Sequence, residues 1–193
     1  YNIAVSHADR TLENHFRNDN SCYHVVDYDL ESGIVRSRQT AQGYADESAW
    51  ARGQAWAIYG YTMMASETGS PEYLAQAKHI ARFLMNHPNM PADKVPYWDF
   101  DAPNIPDAPR DASAAAILAS ALIELSQLDK SNEEKSYLDF AEQQTDGAAT
   151  GGVPPEPRRA GVRRVAGGSL LAGCADHQRR PRRRRPGGGR RSA

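Results

Sequence analysis

The sequence predicts an all-α protein carrying one small β-hairpin. Apolar residues recur at helical spacing in five stretches, and Ser, Asp and Gly stand where helices should start and stop. The alternating, Tyr- and Val-rich stretch characteristic of strands lies within residues 22 to 39. Nothing reads as a parallel strand.

Ile3, Val5, Ala8, Leu12 and Phe16 suit one side of a first helix ending near Arg17, where NDNS breaks it. CYHVVDYD then alternates as a strand, Glu31-Ser32-Gly33 turns, and IVRSRQ returns. Residues 50 to 68 are helical and closed by Gly69. Ser70 and Pro71 read as N-cap and first residue of the next helix, reaching about residue 87. Tyr73, Leu74, Ala77, Ile80, Ala81, Leu84 and Met85 form its apolar stripe. The loop HPNMPADKVPYWDFDAPNIPDAPR follows, long enough to suggest a functional role. Asp111 is placed to cap a helix over 112 to 128, and Ser131 another from 132 to about 144. Paired antiparallel helices of this kind stack as an α/α solenoid or close into a toroid. The chain has no 34-residue repeat of the tetratricopeptide kind, which lowers the open-solenoid reading.

The 193 residues carry a net charge of -1, which hides two unlike parts. Of the 23 basic and 24 acidic residues, twelve Arg and three acids fall in 146 to 193. That leaves 11 and 21 in the first 145, for balances of +9 and -10. Residues 1 to 145 read as one folded unit. Residues 146 to 193 are mostly Gly, Ala, Pro and Arg without a helical or strand period, so they are expected to stay unpacked. Two explanations fit such a tail: an arginine-rich arm for nucleic acid, or an out-of-frame translation of GC-rich coding sequence. The tail lacks the interleaved aromatics of a single-strand binder, so nucleic acid is not expected as a partner.

Cys22 and Cys174 imply no disulfide framework, and no Cys/His spacing implies a metal site. No apolar run approaches a membrane span, so no membrane partner is expected. The first residues show no signal peptide and already carry helical periodicity, as if the chain began inside a domain. Its compartment is not legible.

The stretch TAQGYADESAWARGQAWAIYGY, residues 40 to 61, gathers Gln42, Trp50, Arg52, Gln54 and Trp56. Indole faces stack on the apolar faces of a sugar ring, and a guanidinium forks onto a carboxylate. Arg52 and Trp56 share a helix face, and Trp50 joins them if it precedes the helix or sits in its first turn. A carboxylate held there would also meet the positive end of the helix. The plainer reading puts both indoles in the core and Arg52 in a surface ion pair. Asp46 and Glu47 suit the N-terminal dipole of the same helix, and Asp99 and Asp101 suit the organisation of their own loop. Without a sugar site, an α-helical interaction scaffold is the remaining reading of residues 1 to 145.

The phrases HADRTLENHFRNDNSCYHVVDYD, QGYADESAWARGQAWAIYGY, VPYWDFDAP and RDASAAAI, in this order, resemble signatures of the unsaturated glucuronyl hydrolases. The resemblance covers residues 1 to about 144. The unsaturated rhamnogalacturonyl hydrolases resemble the chain less well, since they carry Asn-Gly where Gln54-Ala55 stands here. The resemblance implies part of an α/α toroid of six helical pairs, the carboxy-terminal half of the barrel. It also implies a substrate ending in a 4,5-unsaturated uronic acid, hydration of that sugar's double bond, and no metal or organic cofactor. It carries over His24, Gln42, Trp50, Arg52 and Trp56 as substrate-binding positions. It places the catalytic aspartates upstream of Tyr1, so no catalytic residue is assigned in this chain and the isolated polypeptide is expected to be inactive.

Overall fold

The computed structural model describes residues 1–131 and 133–149. Five helices and one hairpin follow in chain order: α1 (Asn2–Asn14), β1 (Val25–Tyr28), β2 (Val35–Gln39), α2 (Ala51–Thr68), α3 (Pro71–Met85), α4 (Ala112–Leu128) and α5 (Glu134–Ala149). The expected class, mostly helical with a small antiparallel pair, is the observed one. Residues 146–149, expected to stay unpacked with the rest of 146 to 193, instead form the end of α5, and the rest of that segment lies outside the described residues.

Helix α2 packs against both α3 and α4, and α4 also packs against α5. Ile58, Ile80, Leu84, Leu118, Leu122 and Leu125 are essentially removed from solvent between them. Each such side chain stabilises the fold by about 1.5–3 kcal/mol relative to exposure. Helix α4 approaches closely because its buried faces are largely alanine: Ala114, Ala115, Ala119 and Ala121. Helix α1 is tied on through Tyr61, whose hydroxyl donates to the Ala8 carbonyl at 2.8 Å, and through Tyr73, which donates to Asp9 at 2.6 Å.

The helix ends are fixed locally, as their residues foretell. Ser70 Oγ accepts the Tyr73 amide, and Asp111 Oδ1 accepts the Ala114 amide at 2.8 Å. Gly69 closes α2 at φ +70°, a conformation glycine enters without strain. In the hairpin, Asp29 Oδ1 accepts the amides of Glu31 and Ser32, and Gly33 turns at φ +70°. Val25 then pairs with Gln39 and Val26 with Arg38.

Four local expectations shift. Helix α1 stops at Asn14, not near Arg17, because Arg17 is recruited elsewhere: its guanidinium donates to Ser21 Oγ and to the carbonyls of Cys22, Asp46 and Ser48. Ile3, assigned to the buried face, is 87% exposed. Asp46 and Glu47 do not cap α2, because the N-cap is Trp50 and the Ala51 amide is already held by the Trp98 carbonyl. Asp46 instead accepts the Thr40 amide at 2.9 Å, and Glu47 pairs with Arg17. Helix α5 starts at Glu134, two residues later than expected, and continues to Ala149. Ser131 Oγ accepts the Glu133 amide but also donates to Asp129, which holds it outside the helix.

Candidate binding site around Trp50

Trp50 stands immediately before α2 with extended backbone, φ -60° and ψ 118°, bridged to Asp99 of the long loop. This is the placement that lets its indole meet Arg52. The Arg52 guanidinium carbon lies 5.6 Å from the indole centroid. The imidazole of His24, reached from the start of the hairpin, stacks on the same indole at 4.3 Å with 29° between the planes. The indole also lies along α2, where a methyl added at Gly53 would fall 3.0 Å from Trp50 Cε3.

The segment between hairpin and helix folds over this stack. His24 Nδ1 accepts the backbone amides of Ala41 at 3.1 Å and Gln42 at 3.2 Å. Thr40 Oγ1 accepts the Gly43 amide at 2.7 Å, so tightly that a methyl on Gly43 would fall 2.6 Å from that oxygen. Beneath, the fully buried Asp99 accepts the Tyr44 amide, the Ser48 hydroxyl and the Asp101 amide, while Asp101 accepts the Ala49 amide. These two aspartates organise loops, as their sequence context suggests.

Three of the five predicted positions therefore come together as side chains: His24, Trp50 and Arg52. Gln42 joins through its backbone amide, and its side chain is exposed. Trp56 stands four residues along α2 from Arg52, 52% exposed, with its ring edge-on to Tyr59 at 5.9 Å. A separate open groove of about 440 Å3 is lined by Phe16, Arg17, Asn18, Asp19, Tyr23 and Arg38, none of them among the five.

Arg52 is in an ion pair, as the plainer reading has it, but with a buried partner that the sequence did not name. Its Nε and Nη2 both donate to Asp111 Oδ2, at 3.0 and 2.9 Å. The Asp111 side chain is 4% exposed and that of Arg52 33%, so the outer guanidinium edge still meets solvent. The pair nearly cancels Arg52's charge, and what Arg52 offers a ligand is directional hydrogen bonding. Burial lowers the pKa of His24 and favours the neutral ring. Burial also pushes the Cys22 thiol up to about 12, which removes it as a nucleophile. Gln54, the other polar residue of the motif, is buried on the hairpin: Oε1 accepts the Cys22 amide at 2.7 Å and Nε2 donates to the Cys22 carbonyl at 3.0 Å. Thr40, Gly43 and Asp99 were not singled out from sequence as parts of this cluster. Asp111, within RDASAAAI, reads from sequence as the cap of α4, with its loop near the mouth of the pocket. Among the described residues, no group of His, Cys, Asp and Glu is gathered to hold a metal ion, and no helix is long and apolar enough to cross a membrane.

Comparison with known proteins gives this arrangement a lineage. The chain is 57% identical over 143 residues to the unsaturated glucuronyl hydrolase of Formosa agariphila, an alignment covering 74% of this chain and 35% of that protein. It superposes with a TM-score of 0.71 and 53% identity on a crystal structure of an unsaturated glucuronyl hydrolase specific for heparin, covering 74% of this chain and 38% of the other. The chain belongs to the unsaturated glucuronyl hydrolase family. Its helices are accordingly part of an α/α toroid. A third relative, a Streptococcus agalactiae unsaturated glucuronyl hydrolase variant solved with dGlcA-GalNAc6S, is 30% identical with a TM-score of 0.64, covering 76% of this chain and 39% of that one. The chain spans about a third of the length of the curated hydrolases it matches. No family model matches it.

Proposed function

We propose that residues 1 to 145 supply one wall of the site of an unsaturated glucuronyl hydrolase, which frees the 4,5-unsaturated uronic acid from lyase-generated oligosaccharides. The observation that carries this reading is the meeting of His24 and Arg52 on the Trp50 indole, within a chain of this family. Trp56 offers an exposed aromatic face for the sugar ring, and Arg52 offers its outer edge to the carboxylate or a hydroxyl. In the reaction an aspartic acid protonates the vinyl-ether double bond and water adds at C5. The resulting hemiketal rearranges and expels the remaining sugar, unlike the displacement at C1 by ordinary glycosidases.

No proton donor is assigned within this chain. Asp99, Asp101 and Asp111 are spent on loop amides, a helix cap and Arg52, and Asp46 holds the Thr40 amide. As the family resemblance implies, the polypeptide is expected to bind without turnover. Titrating it with the unsaturated disaccharide dGlcA-GalNAc6S, followed by tryptophan fluorescence, should show saturable quenching that Arg52→Ala weakens. Absorbance of the conjugated double bond should stay constant. The reading fails if wild-type and Arg52→Ala chains respond alike to the disaccharide.

A further inference from the structure

We infer that His24 is a positioning residue: a neutral imidazole, protonated on Nε2, whose Nδ1 latches the 40–43 segment onto the Trp50 indole. Nδ1 faces the backbone N–H groups of Ala41 and Gln42 at 3.1 and 3.2 Å and, at 3.3 Å, the Thr40 hydroxyl, which already accepts the Gly43 amide and has its own proton to donate. An atom that accepts two donors carries its lone pair, so the ring proton sits on Nε2. The remaining nitrogen then presents a donor, and the ligand atom it suits is an acceptor such as a carboxylate or hydroxyl oxygen. That last consequence rests on the function proposed above; the latch itself does not.

The segment has few other holds. Thr40 is fixed by Asp46 and Gly43 by Thr40, but among the described residues the amides of Ala41 and Gln42 meet only His24. Both residues are exposed, so nothing packs them down. The charged groups of the surrounding elements are Arg52 of α2, Asp46 on the Thr40 amide and Asp99 on the Tyr44 amide, and none is bonded to the imidazole. Protonation at Nδ1 would gain some attraction to the indole face but would set three N–H groups against one another. Both backbone bonds would go. Burial of the ring acts in the same direction, against the charged form.

The test is made on the 193-residue chain with nitrogen-15-labelled histidine and amide exchange. The expected result is an Nε2-protonated His24 at neutral pH, with Ala41 and Gln42 exchanging about tenfold faster in His24→Ala, as for one lost net hydrogen bond. His24→Asn, whose Oδ1 can replace Nδ1 as acceptor, should keep the protection, and His24→Gln, whose amide reaches the Nε2 position, should not. A proton found on Nδ1, or Ala41 and Gln42 exchanging as fast in the wild type as in His24→Ala, overturns the latch. Titration with dGlcA-GalNAc6S separates the two proposals: a latched wild type that does not bind it overturns the sugar reading and leaves the latch established.

Discussion

Arg52 and Asp111 lie 59 positions apart and share a single oxygen: Nε and Nη2 of the arginine both donate to Oδ2 of the aspartate. The other oxygen, Oδ1, caps α4 through the Ala114 amide. The two jobs can be separated by substitution. Asp111→Asn keeps an acceptor for the cap and loses the charge, whereas Asp111→Ala loses both. Chemical denaturation should show a loss of about 1 kcal/mol for Asn, from the uncompensated arginine, and about 2–3 kcal/mol for Ala, the added part being the missing cap. Equal losses would mean that the cap contributes nothing.

Gly53 matters for where Trp50 lies. A methyl at this position would fall 3.0 Å from Trp50 Cε3, so the indole must give way by a few tenths of an ångström. Gly53→Ala should leave α2 intact, since alanine favours helix by about 1 kcal/mol over glycine. The expected signature is a changed tryptophan emission and weaker disaccharide binding in a chain of unreduced stability. Unchanged binding would show that the indole's position is not critical.

The two tryptophans should respond oppositely to truncation. Trp50 carries the His24 stack and the Gly53 contact, so Trp50→Ala is expected to cost about 3 kcal/mol or more in an unfolding measurement. Trp56 is half-exposed, and Trp56→Ala should change stability by only about 0.5–1 kcal/mol. Its cost should appear in fluorescence titration with the disaccharide instead. A Trp56→Ala chain that binds like wild type removes that indole from the site.

Three histidines set an acid limit. Burial is the largest cause lowering the pKa of His15, His24 and His87; in His15 nearby His7 and Arg38 add to it, and in His87 Asp101 and Asp19 oppose it. Because the folded-state values lie below the unfolded value of about 6.5, the unfolded chain takes up protons first as pH falls. Stability contributed by the neutral rings is complete above about pH 6.5 and is lost progressively below it. Melting temperatures recorded from pH 8 to pH 5 should be level at first and then decline. His24→Asn should flatten part of that decline.

Much of this architecture was legible because the interactions that fix it are local. Ser70, Gly69 and Asp111 mark helix ends through bonds to residues three or four positions away, and α4 falls on residues 112 to 128 as its cap and period require. What escaped was long-range. Arg17 reaches Ser48 across 31 residues and thereby ends α1 early, and no periodicity contains that information. Ile3 shows the complementary failure: its spacing names a helix face without saying what covers it. In the site, the motif brought Trp50 and Arg52 near each other, but not Asp111, which decides how much of the arginine's charge is left for a ligand.

The side chain of Gln54 does for the hairpin what an adjacent strand would do, meeting both the amide and the carbonyl of Cys22. Cys22 is two residues from His24, and Gln54 is two residues from Arg52. One amide group thus sets the alignment between the element that bears the imidazole and the element that bears the guanidinium. Sliding the segment that leads into β1 along the helix by a single residue would present Gln54 with groups facing the other way, so the imidazole and the guanidinium cannot drift apart without first breaking this joint.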